Sequence, residues 1–225
     1  MTFSISARCA RTGLFGIAVS SSSPAVAARC AHARAGVGVV ATQNITDPTL
    51  GPRGLDLMAS GLSASEALER LRAVASHFDY RQVVLVDREG RAAAHSGART
   101  LGLHGVELAP DVAAAGNLLA SADVPASMVK AFQASPDAHL GDRILAAMQA
   151  ALDAGGEEGP VHSIGMLIVD KVAWPVADLR IDWTEGDPIG ELAALWRLWR
   201  PQMDAYVTRA LDPSSAPSYG VPGDE

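Results

Sequence analysis

Polar and apolar residues alternate from the second position of the chain. Phe3, Ile5 and Ala7 fall on one side of an extended segment, and Thr2, Ser4, Ser6 and Arg8 on the other. A period of two predicts a half-buried strand over residues 2–9. Thr12-Gly13 is a turn signal, and the run from Leu14 to Ser20 beyond it predicts a second strand, closing a hairpin. Ser23 stands before Pro24 as an N-cap stands before a proline in the first helical turn, so a short helix is expected next. Residues 35–44, AGVGVVATQN, read as a third strand with close-packing glycines.

The period then changes to that of a helix. LGPRGLDLMASG predicts a helix stopped at Gly61, and SASEALERLRAVA opens on a capping box, Ser63 with Glu66. Leu68, Leu71 and Ala75 share one face of it. RQVVLVDREGRAAAHSG predicts a hairpin turning at DREG, and DVAAAGNLLA a further strand. Two helices are expected over ADVPASMVKAFQAS and LGDRILAAMQAALDAGG, the second stopping at Gly155. HSIGMLIVD and VADLRIDW read as late strands. From Pro188 to Leu211 the chain is amphipathic, with Asp187 as N-cap and Pro201 as a kink. Helices in blocks and strands in hairpins argue against a doubly wound parallel sheet. They predict a sandwich of sheets with helices outside, as one domain over residues 1–212. A Pro/Ser/Gly-rich tail over 213–225 follows.

Composition narrows the function. In 225 residues, 48% are hydrophobic, enough for a sizeable core. No apolar run reaches the roughly 18 residues of a membrane span, and the start lacks the basic region of a signal peptide. A cytoplasmic protein with no membrane partner is expected. A net charge of −7 without a basic run makes nucleic acid a poor partner. Cys9 and Cys30 are the only cysteines and read as buried free thiols. The six histidines show no paired ligand spacing. No metal and no cofactor is expected.

Thr2 is the candidate nucleophile. A hydroxyl is weak until a base takes its proton, and an N-terminal threonine carries its own base in the free α-amino group. Removal of the initiator methionine ahead of this small residue would expose that amine.

The segments MTFSISAR and TGLFGIAVSS, then ARAGVGVVATQN, GLSASEALERL, RQVVLVDREGRAAAHSG and AGNLLA, resemble domain of unknown function 1028. That is an uncharacterised family of the N-terminal nucleophile (Ntn) hydrolase superfamily. The resemblance runs through roughly residues 2–183. It implies an α+β fold, a four-layer αββα sandwich with Thr2 at the start of a central strand. It also implies amide hydrolysis through an acyl-enzyme on Thr2, with a small-molecule amide as substrate. A catalytically silent protein of the same fold, binding a metabolite or serving as a structural oligomer, is the alternative. Asn117 matches a family asparagine and is the candidate oxyanion donor. Arg34, Gln43 and Ser96 match family positions suited to orienting a substrate, and Asp142 matches another, suited equally to a cap or ion pair.

Ser21 and Ser22 end the second strand beside the expected place of Thr2, as a proton relay, substrate contact or helix cap. His95 is a weaker candidate base, since a lone strand histidine is more often structural. The family commonly carries an Arg-rich turn after its long helix. Here AGGEEGPVHSIG is acidic and holds His162, which implies a different substrate or interface. Six of the eleven aromatics lie beyond residue 170. Leu192, Leu195, Trp196, Trp199, Met203 and Tyr206 share one face of the last helix, so a homodimer through that helix is expected.

Overall fold

The computed structural model describes residues 1–223. Two antiparallel sheets lie face to face, with helices outside each. In chain order the strands are β1 Thr2–Arg8, β2 Phe15–Ser21, β3 Ala31–Arg34, β4 Gly38–Asn44, β5 Arg81–Asp87, β6 Ala92–Ser96, β7 Gly105–Ala109, β8 Val112–Asn117, β9 Ser163–Val169 and β10 Ala177–Ile181. The helices are α1 Ala27–Cys30, α2 Leu50–Ala59, α3 Ala64–Val74, α4 Val124–Gln133, α5 Leu140–Asp153, α6 Pro188–Trp199 and α7 Met203–Leu211. One sheet runs β10-β9-β2-β1-β8-β7 and the other β3-β4-β5-β6.

The alternation of β1 explains the layering. Phe3, Ile5 and Ala7 pack outward into one core with α4, α5 and α6. Thr2, Ser4 and Ser6 point the other way, against β4 and β5 of the second sheet. On that sheet Val40, Val83 and Leu85 pack outward against α2 and α3. Between the sheets lies a third core of Phe15, Ile17, Val39, Ala41, Val84, Val86, Ala113 and Ala115. This is the four-layer αββα sandwich. Its consequence for β1 is that the polar face is buried too: Ser4 and Ser6 are as inaccessible as Phe3 and Ile5.

Local signals fixed several element ends. Ser63 Oγ accepts from the Glu66 amide at 3.3 Å while the Glu66 carboxylate accepts from the Ser63 amide at 2.8 Å, closing the capping box. Asp187 accepts from the amides of Ile189 and Gly190 at 3.1 and 3.0 Å. Pro201 breaks the terminal helix as expected, through a 3₁₀ turn at Arg200–Gln202 between α6 and α7. Cys9 and Cys30 are free and buried.

Three elements differ from expectation. The first helix is a single turn, Ala27–Cys30, and Ser23 does not cap it; Ala25 at φ 49° breaks the path between them. The residues that follow, Ala31–Arg34, form β3 rather than extending that helix. The short edge strand β7 is an addition, since half of its residues are exposed and its pattern is weak.

The terminal helix closes one flank of its own subunit. Leu192, Trp196 and Met203 join the core under β9 and β10, with Leu195 and Trp199 packed against it. The Trp199 indole donates to the Val176 carbonyl at 3.0 Å. Leu192, Trp196 and Met203 of the face from which a dimer was expected are buried in the subunit, and Tyr206 is exposed. The described part of the tail folds back on α7: Arg209 lies 3.8 Å over the Tyr219 ring. Residues 224–225 of the expected tail lie outside the described residues. No helix among the described residues is long and apolar enough to cross a membrane.

Candidate functional site

A strand paired on both edges holds its first residue still. β1 is bonded to β2 on one side and β8 on the other, and its register sets Thr2 opposite Asn117 and Phe3 opposite Ser20. Thr2 is buried. Its hydroxyl donates to the Met1 carbonyl and lies 3.5 Å from Ser21 Oγ. Ser21 Oγ donates to the same carbonyl at 2.5 Å and shares a 2.8 Å hydrogen bond with Ser23 Oγ. Ser21, at the end of β2, is thus the serine beside Thr2. Ser22 contributes its backbone amide to the neighbouring Glu157.

Deeper between the sheets, the inner-face positions of three strands change from aliphatic to carboxamide. Gln43 follows Val39 and Ala41 on β4, Gln82 precedes Val84 and Val86 on β5, and Asn117 follows Ala113 and Ala115 on β8. Gln82 is their hub. Its Oε1 accepts from Gln43 Nε2 at 2.8 Å and Asn117 Nδ2 at 3.1 Å; its Nε2 donates to Ser96 Oγ at 2.9 Å and the Gly116 carbonyl at 3.0 Å. The structure so brings Thr2, Asn117, Gln43 and Ser96 to one end of the sandwich. Asn117 Oδ1 and Gln43 Oε1 have no hydrogen-bond partner among the described residues. Buried acceptors without donors are rare in folded proteins. Sequence reasoning missed Gln82. The signal was a lone carboxamide at the head of an otherwise apolar strand.

Glu157 was missed as well. The chain after α5 turns at Gly155, with φ +114°, and runs beside β8's exit. Leu119 bridges to Glu157, the Ala120 amide donates to the Gly156 carbonyl at 3.0 Å, and the Glu158 amide donates to the Leu118 carbonyl at 3.1 Å. Leu118 itself is held at φ 51°, an uncommon conformation for leucine. These bonds bury the Glu157 side chain to 5% exposure. Its Oε2 accepts one hydrogen bond, from the Ser22 amide at 3.3 Å, and its Oε1 has none among the described residues. Burial pushes its pKa up to about 7, against the opposing pull of the N-terminal amine and of Ser22. Its acidic turn stood out in the sequence as implying a different substrate or interface, but nothing local singled out this glutamate.

The remaining candidates sit elsewhere. Arg34 pairs in register with Gly38, at the end of its sheet away from Gln43, and its guanidinium bonds Asp56 at 2.8 Å. The His95 ring stacks on Phe78 at 4.5 Å, with Nε2 3.3 Å from the Phe78 carbonyl. Asp142 accepts from the Trp196 indole at 2.7 Å and pairs with Arg200 at 3.2 Å, locking α5 to α6. His162 stacks on Trp183 at 4.4 Å and hydrogen-bonds the Thr184 carbonyl. A cleft of about 700 Å³ lined by Arg11, His139, Lys171 and Arg200 opens at the end of the sandwich opposite Thr2. Arg11 and Arg200 there are already engaged, by the Asp137 carbonyl and by Asp142.

No curated protein matches the sequence. Among solved structures, protein SPO2555 from Silicibacter pomeroyi, itself assigned to DUF1028, is 30% identical with a TM-score of 0.81, each chain covered to 88%. An Anbu (Gly-1) mutant from Hyphomicrobium sp. strain MC1 aligns at 12% identity and TM-score 0.41, covering 92% of this chain and 99% of its own. Anbu (ancestral beta-subunit) from Yersinia bercovieri aligns at 13% and 0.38, covering 91% and 97%. Residues 2–192 match the family of unknown function DUF1028. With that much of the chain matched, the protein belongs to the DUF1028 family.

Proposed function

We propose that this protein is an N-terminal nucleophile amidohydrolase acting through Thr2 once Met1 has been removed. The observation that carries the reading is the placement of Thr2: a buried hydroxyl at the head of a doubly paired central strand, already engaged with an acyl carbonyl. The α-amino group of Thr2 takes the hydroxyl proton, and Oγ attacks the substrate carbonyl. The resulting oxyanion is met by Ser21 Oγ and by an Asn117 N–H. The C–N bond breaks, the amine leaves with the proton, and water hydrolyses the ester left on Oγ. Gln82 fixes the Asn117 carboxamide, while Gln43 and Ser96 line the same end of the inter-sheet layer. The substrate is a small amide; the superfamily resemblance supports the reaction class.

One observation favours the silent alternative. While Met1 is attached, its carbonyl occupies both hydroxyls and Thr2 has no free amine. Intact-mass measurement of the purified chain reports which form exists. In the form beginning at Thr2, Thr2→Ala should abolish amide turnover and leave the melting temperature nearly unchanged. Undiminished turnover in that variant removes Thr2 from the reaction.

A further inference from the structure

Met1 brings three groups to the site, and its carbonyl is the one held by hydrogen bonds. Its carbonyl oxygen accepts from Ser21 Oγ at 2.5 Å and from Thr2 Oγ. Its side-chain end lies beside Gly159, where an added Cβ would stand 3.4 Å from the methionine Cε. The charge of its amine acts on the Glu157 carboxylate. Carbonyl, side chain and ammonium are together an α-aminoacyl group, joined here to the nitrogen of Thr2. A substrate acyl group would be joined instead to Oγ of the same residue.

Glu157 supplies the reason to read this as a subsite. A carboxylate 5% exposed, with one amide donor and one oxygen without a partner, is an incomplete arrangement. Its desolvation is relieved by keeping a proton or by a cation that donates to it. The Met1 ammonium is near enough for its charge to favour the carboxylate, and it forms no ion pair with it.

We propose that the site selects amides of α-amino acids whose amine is free, Glu157 receiving the substrate's α-ammonium, Ser21 its carbonyl oxygen, and the space beside Gly159 an unbranched apolar side chain. This rests on the reading of Thr2 as nucleophile and names the substrate class of that site. The covalent step is unchanged: the acyl carbon passes from the leaving nitrogen to Thr2 Oγ, and then to water.

Two measurements on the chain beginning at Thr2 separate the two ideas. The first is binding, followed by calorimetry on the Thr2→Ala form so that nothing is consumed. Methioninamide should bind at least about 10-fold more tightly than N-acetylmethioninamide, the size expected for a hydrogen-bonded charge. Glu157→Gln should erase that preference. Equal affinities, a preference for the acetylated probe, or no binding of either overturns the subsite. The second is turnover of methionine p-nitroanilide and its N-acetyl counterpart by the unsubstituted chain and by Glu157→Gln. Faster turnover of the free-amine substrate, with the advantage lost in the variant, supports the subsite. An equal fall on both substrates overturns it, because the carboxylate would then serve the amine of Thr2. Turnover of neither ends the nucleophile reading, and the binding result alone then decides the subsite.

Discussion

Two carboxylates are buried at opposite ends of the sandwich, and they are treated differently. Asp87 ends β5 at the end remote from Thr2. It accepts from the amides of Ala64, Glu89 and Arg91, each at 3.0 Å, and from Arg91 Nε at 2.7 Å. Burial pushes its pKa up, but the Ala64 amide and the Arg91 guanidinium and amide outweigh it and hold the group below the ordinary carboxylate value. Glu157 is buried as well, accepts one hydrogen bond, from the Ser22 amide, and its pKa goes the other way, to about 7. Burial is common to both. Satisfaction separates a carboxylate that holds a fold together from one that waits for a partner.

Asp87→Ala should have the largest effect on stability, a loss of about 2–4 kcal/mol, because it strips a helix start, a turn and an arginine of their shared acceptor. Chemical denaturation checks it; a loss below 1 kcal/mol, about the net worth of one ordinary hydrogen bond, would deny the residue its structural role. Asn117→Ala should lower kcat by about 10²-fold if its N–H meets the oxyanion, the effect of losing one such donor. A change confined to KM would make it a binding residue instead.

The smallest effect sharpens the contrast most. Glu157→Gln should stabilise the chain at pH 8 by roughly 1–2 kcal/mol, a few degrees at about 2–4 °C per kcal/mol, and change little at pH 5. The sign follows from linkage. The folded pKa lies above the ordinary value of 4.5, so the native protein holds a proton that the unfolded chain gives up. Stability is therefore full below 4.5 and is lost as pH rises through about 7. Asp87 behaves oppositely, its contribution being present above the unfolded value and lost as pH falls through the depressed one. The Glu157 variant should gain on the parent chain as pH rises from 5 to 8, while the deficit of the Asp87 variant stays constant there and shrinks only as pH falls below 3.8; melting curves without those two separate windows would dissolve the comparison.

The layering was largely legible in the chain, because period-two strands and capped helices are local statements. Ser63 with Glu66, Asp187 before Pro188, and the alternation of β1 each name a partner a few residues away. What the alternation of β1 does not say is what its polar face meets. A second sheet buries Thr2, Ser4 and Ser6, and nothing within ten residues reports that sheet. Gln82 and Glu157 were illegible for the same reason. Each looks ordinary in its own segment and gains meaning from residues far along the chain: Gln82 from Asn117, Glu157 from Ser22. β3 was misread because a four-residue strand directly after a one-turn helix leaves no room for either period to declare itself.

The pairing of β1 also orders events in time. The second sheet is built from neighbours in sequence, β3 to β6, with α2 and α3 between them, and can form as soon as residues 31–96 exist. The first sheet cannot. β1 reaches one of its partners, β8, only after that whole segment has been made, and β2 waits for β9, which follows two further helices. Pairings across such separations form slowly. The surroundings of Thr2 are thus among the last to be completed, and an unfinished chain carries its hydroxyl without Asn117 and the buried glutamate beside it.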